Sequence, residues 1–88
     1  MEIYTIRRER LEYKLRKLSK KGKLFTVEFT KQNGEVRELT GIVTKPNQIE
    51  RWENTYITVF DVFSDKFRMI NLETAHSVVF NNKYYRVD

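Results

Sequence analysis

FTVEFTKQNGEVRELTG, residues 25–41, is the stretch that decides the fold. Phe25, Val27 and Phe29 alternate with Thr26, Glu28 and Thr30, the period of two of a half-buried strand. Asn33-Gly34 follows, the strongest short hairpin signal, because a type I′ turn needs positive φ at both central positions. The return strand, residues 35–44, offers Leu39 and Val43 to one face, with Gly41 between them. A glycine inside a strand marks a sharp bend or a bulge, which a small barrel needs in order to close.

Downstream the same grammar repeats. Residues 56–63, YITVFDVF, read as a third strand, apolar on both faces. One face is expected inside and the other under a helix. Residues 64–66 form a turn, with Asp65 in a turn role, and residues 67–72, FRMINL, form a fourth strand. Residues 73–75 suit a single helical turn. HSVVF, residues 76–80, is a fifth strand, and Asn81-Asn82 can take positive φ to turn the chain into a short last strand at 84–87. Between the second and third strands, KPNQIERWENT at 45–55 reads as a long polar loop carrying Trp52.

Upstream, residues 5–23, TIRRERLEYKLRKLSKKGK, read as a helix over 5–21. Thr5 is its expected N-cap and Gly22 its left-handed C′ residue. Tyr4, Leu11, Leu15 and Leu18 fall within about a 60° arc, a narrow stripe suited to docking on one surface. Arg7, Arg10, Lys14, Lys17 and Lys21 follow 3-4-3-4 spacing beside it, over about 21 Å. Glu12 can pair with Arg16 at i+4. Residues 1–23 hold nine Lys/Arg against three Glu, and residues 24–88 hold eight against nine Asp/Glu. The formal +5 of the chain is therefore a property of this segment.

The whole predicts one domain, 1–88, mainly β: a small SH3-like or Sm-like antiparallel barrel of five to six strands over 24–87, with one N-terminal α-helix. Eighty-eight residues allow only a small core. Without cysteine there is no disulfide frame, thiolate metal site or cysteine nucleophile, which suits a reducing cytoplasm. MEIYTIRRERLEY has no apolar h-region, so no signal peptide is expected, and no apolar run is long enough to span a bilayer. A pI near 9.6 favours polyanionic partners.

FTVEFTKQNGEVRELTG, followed by YITVFDVFSDKFRMINLETAHSV at 56–78, resembles the small SH3-like β-barrel proteins of tailed bacteriophages. Residues 31–34, Val59-Phe60-Asp61 and residues 68–71 carry that resemblance, which covers residues 24–87 and leaves the basic segment outside. It implies a phage-encoded binding protein of the bacterial host cytoplasm. A looser similarity is to Sm-like proteins, which also place a helix before bent strands and a glycine in the second, as at Gly41. The chain departs from them at KPNQIERWEN and MINLETAHS, which stand where Sm-type RNA-contact segments would be.

No chemistry is legible. His76 is the single histidine, expected partly buried in a strand, and its neighbour Ser77 points to the other face. There is no metal-ligand spacing, Walker A motif or dinucleotide fingerprint, so no catalytic residue, metal or cofactor is expected. The expected function is binding. Like charges at i,i+4, as in Arg10 and Lys14, oppose helix formation, and phosphate neutralisation is one reason to keep them. The alternative is a solvated face, since Arg and Lys are good helix formers. Tyr13 and Trp52 are candidate stacking residues, and Lys31 and Arg37 auxiliary cationic contacts, for DNA or RNA. The rival reading is a protein-interaction module that docks on a host transcription or defence protein through the helix or an edge strand. A monomer and a small homo-oligomer are both compatible with this pattern.

Overall fold

The computed structural model describes residues 1–44 and 56–88; residues 45–55, which the sequence predicts as a loop carrying Trp52, lie outside them. The chain is mainly β with one helix. Seven strands form one sheet: β1 (Glu2–Ile6), β2 (Phe25–Thr30), β3 (Val36–Ile42), β4 (Tyr56–Asp61), β5 (Lys66–Asn71), β6 (Ala75–Phe80) and β7 (Lys83–Val87). Their order is β1-β7-β6-β2-β3-β4-β5. The sheet is open, with β1 and β5 at its edges, so the expected closed barrel of five to six strands is corrected.

The extra strand comes from the segment read as the start of the helix. Ile3-Tyr4-Thr5-Ile6 are all strand formers, and β7 offers them a mate. β1 pairs with β7 in parallel from Glu2↔Lys83 to Ile6↔Val87, so the sheet is not wholly antiparallel. Asp88 N–H donates to the Ile6 carbonyl at 2.9 Å and Arg8 N–H to the Asp88 carbonyl at 3.2 Å. Thr5 therefore caps nothing. A 3-10 turn, Arg8–Arg10, leads into α1 (Leu11–Lys20). The guanidinium of Arg8 donates to the carbonyls of Leu72 (2.6 Å) and Ala75 (3.0 Å), tying this turn to the start of β6.

The leucine stripe, the Glu12–Arg16 pair and the glycine C-cap appear as expected. Leu11, Leu15 and Leu18 are buried in one core with Val27, Ile57, Val59 and Val78. Glu12 and Arg16 pair at 3.0 Å. Gly22 sits at φ 72°, with Lys23 N–H on the Leu18 carbonyl and Gly22 N–H on the Ser19 carbonyl, both at 3.0 Å. That pair of bonds is the Schellman arrangement. Ser19 docks the helix: its hydroxyl donates to the Leu15 carbonyl and accepts the N–H of Val43, both at 2.8 Å.

The β2–β3 hairpin forms with Phe25, Val27 and Phe29 buried, as the alternation predicts, but not with its expected turn. Gly34 alone takes positive φ there, at 88°. Gly34 N–H bonds the Lys31 carbonyl, and Lys31 N–H bonds the Glu35 carbonyl. This is a type I turn closed by a left-handed glycine, the three-residue hairpin loop. The two-residue turn with positive φ at both positions is Asn81-Asn82 (48° and 61°) between β6 and β7. Asp65 also takes positive φ, in the β4–β5 turn.

Gly41 is where the sheet folds over. Among the described residues β3 pairs with β4 at Gly41↔Asp61 and Ile42↔Phe60 only, and a Cβ on Gly41 would lie 2.2 Å from the Phe60 carbonyl oxygen. A second irregularity, a register shift at Glu28/Phe29 against β6, bends β2. The 3-10 turn Leu72–Thr74 then carries the chain from β5 to β6, pinned by the Thr74 hydroxyl on the Thr30 carbonyl at 2.7 Å. The helix leucines share the core with Ile57 and Val59, the inner face of β4, while on its other face Phe60 meets Phe67 of β5 edge to face, with ring centres 5.2 Å apart.

Candidate nucleic-acid interface

The sheet face that meets α1 carries Phe80 on β6, Lys83 and Tyr85 on β7, and Tyr4 on β1. Tyr4 and Tyr85 are direct partners in the parallel ladder; Val78, two residues before Phe80, is the partner of Tyr85. Their rings stack in sequence. Phe80 and Tyr85 lie 5.1 Å apart at 6°, and Tyr85 and Tyr4 5.1 Å apart at 22°. The Tyr4 hydroxyl donates to the Glu2 carboxylate at 2.7 Å, which raises its pKa.

Lys14 reaches down from α1 onto this ladder. Its ammonium stands 5.0 Å from the Phe80 ring centre and 5.2 Å from that of Tyr85, in cation–π range. Burial lowers its pKa first, and the positive charges of Lys17, Lys83 and Lys21 lower it further. Four lysines therefore share one field. Among the described residues, no carboxylate comes within ion-pair distance of any of them.

The predicted stripe of five is thus regrouped. Lys14, Lys17 and Lys21 stay together on α1 and its C-cap. Arg7 and Arg10 are exposed but precede the helix, in the link from β1 and in the 3-10 turn. Tyr13 is exposed, with the Lys17 ammonium 5.9 Å from its ring centre. Sequence reasoning missed Lys83, Tyr85 and Phe80. The signal was there: a two-residue Asn-Asn turn sets Phe80 against Lys83, and alternation then puts Tyr85 on the same face. It also missed Tyr4 as a ladder ring, having placed it on the helix stripe.

Lys31 and Arg37 are elsewhere. They line a groove of about 630 Å³ between the β2–β3 and β4–β5 hairpins, with Phe29, Tyr56, Phe67 and Met69. None of the lysine-cluster residues lines it. Arg37 has a loose ion pair with Glu35 at 3.9 Å.

No protein-family model, curated protein or solved structure matches this chain. The site must be read from its own chemistry. His76 is exposed rather than partly buried, with Nε2 2.6 Å from the Thr30 hydroxyl, while Ser77 faces the interior. Burial alone would raise the pKa of Asp61. The Ser64 N–H and hydroxyl, the Phe63 N–H and the Arg68 guanidinium outweigh it and hold the carboxyl below its ordinary value. Asp61 accepts from Phe63 N–H at 3.0 Å and Ser64 N–H at 3.2 Å, which makes it a turn residue. No three His, Asp or Glu side chains among the described residues gather as metal ligands. Among them too, no helix is long and apolar enough to cross a membrane.

Proposed function

We propose that this protein is a non-catalytic nucleic-acid-binding module whose phosphate contacts come from α1 and the adjoining end of the sheet. The observation that carries this reading is the convergence of Lys14, Lys17, Lys21 and Lys83, with no carboxylate partner among the described residues, beside stacked rings. A phosphate seated there relieves the mutual repulsion that, after burial, holds the Lys14 pKa down, and it releases counterions. Arg7 and Arg10 extend the positive surface toward the N-terminal end of the helix and bring bidentate donors that lysine lacks. Lys31 and Arg37 belong to a separate groove and serve at most as a second contact. We also read residues 24–87 as kin to the SH3-like proteins of tailed phages, acting in the host cytoplasm. Supporting that reading is the order β6-β2-β3-β4-β5, with a 3-10 turn before the last of these strands in the chain.

The test is a titration of DNA and RNA, single-stranded and duplex, at several salt concentrations. The logarithm of the affinity should fall linearly with the logarithm of salt. The triple variant Lys17→Gln, Lys21→Gln, Lys83→Gln should flatten the duplex slope by up to about 2.7, at roughly 0.9 per phosphate contact. Micromolar protein that binds nothing at low salt would sink the reading.

A second reading has its own observation. Phe63, Phe67 and Met69 are exposed on the β4–β5 hairpin at one edge of the sheet, a surface suited to a protein partner. Under it, a nuclease-treated bacterial lysate yields a stoichiometric partner that Met69→Glu releases. Recovery of none, or of one indifferent to Met69→Glu, counts against it.

A further inference from the structure

Resting on the nucleic-acid reading of the lysine cluster, we infer that the site takes single-stranded nucleic acid, with one unpaired base stacked on the ring of Tyr4. Phe80, Tyr85 and Tyr4 form a ladder that runs across β6, β7 and β1 and stops at the edge of the sheet. Among the described residues Tyr85 is the only ring on Tyr4, and no strand lies beyond β1. The last ring of the ladder is 39% exposed. A flat aromatic ligand added there continues the stack.

The charges around the ladder orient that ligand. Lys14 stands 5.2 Å from the Tyr85 ring centre, one ring before Tyr4, and shares its field with three more lysines. At the tip of Tyr4 the Glu2 carboxylate accepts a hydrogen bond from the phenol hydroxyl at 2.7 Å and repels phosphate from that end. A nucleotide therefore lies with its base over Tyr4 and its phosphate toward Lys14. Bases inside a duplex are covered on both faces by their neighbours, so away from duplex ends only an unpaired base presents a face to the ring. Stacking of this kind accepts any base, which predicts little sequence preference.

Fluorescence anisotropy with labelled oligo-dT, oligo-U and a DNA duplex of equal length tests the inference. The wild type should bind one or both single strands about tenfold more tightly than the duplex, and Tyr4→Leu should cut single-strand affinity about 5- to 100-fold. The salt slope should not change with Tyr4→Leu, because no charge is lost, and duplex affinity should fall less than single-strand affinity. Tyr4→Phe keeps the ring and should bind as the wild type does. In the wild-type complex the Tyr4 ring protons should move upfield by NMR, a readout that stands even if Tyr4→Leu does not fold. Equal affinity for single strands and duplex, unshifted Tyr4 protons, or a folded Tyr4→Leu that binds like the wild type overturns the inference and leaves the nucleic-acid reading intact. If no nucleic acid binds at low salt, both fall together.

Discussion

Gly41→Ala is expected to cost about 3 kcal/mol, the upper end of ordinary overpacking. For a domain of this size that lowers the melting temperature by roughly 12–24 °C. The reason is geometric. A Cβ at this position would sit 2.2 Å from the Phe60 carbonyl oxygen and 2.6 Å from Cγ1 of Val59. The first of these is backbone and cannot rotate aside. The strands must separate, and among the described residues they are joined there by two residue pairs and the bond from Val62 N–H to the Thr40 carbonyl at 3.1 Å. Gly41 does not take positive φ, so the effect is one of space and not of backbone strain. Thermal unfolding followed by circular dichroism reads it directly. A shift below about 4 °C would show that β3 and β4 can part at this point at little cost.

Leu15→Ala is the second large effect, with an expected loss of about 2–5 kcal/mol. Leu15 is fully buried, and it lies between Leu11 and Leu18 on the one stripe by which α1 holds the core. Its truncation leaves a cavity that the two flanking leucines cannot fill, because the Ser19 bridge to Val43 fixes the height of the helix. Denaturant unfolding should show a lower midpoint at an unchanged slope. Leu15→Met, which conserves volume, should cost less than about 1.5 kcal/mol. Because α1 also carries Lys14 and Lys17, nucleic-acid affinity should fall with Leu15→Ala as the helix loosens, and recover with Leu15→Met. If Leu15→Ala unfolds at the wild-type midpoint, the helix is not held by this stripe.

How far the site was legible follows from range. Alternation at Phe25, Val27 and Phe29, the leucine stripe of α1 and the glycine C-cap are local patterns, and each appears in the structure where the residues indicate. The same local logic failed for residues 2–10. Ile3-Tyr4-Thr5-Ile6 can start a helix or form a strand, and the choice depends on a mate about eighty residues away. β7 supplies that mate, and with it Tyr4 leaves the helix and joins Tyr85 and Phe80. Arg8 shows the same limit: it reads as one more cation of a basic run, yet two carbonyls near β6 engage its guanidinium.

Local periodicity and turn chemistry thus determined the mainly β class, the amphipathic helix, most strand positions and the concentration of charge near the N-terminus. Tertiary structure alone decided that the sheet has seven strands and stays open, that Arg7 and Arg10 stand apart from the helix, and that Lys83 joins the field of Lys17 and Lys21 around Lys14, which alone of the four stands over the stacked rings. Periodicity reports which face of one element is buried. Which elements become neighbours is set by long-range pairing between backbone groups that every residue carries, and side-chain pattern records that only weakly.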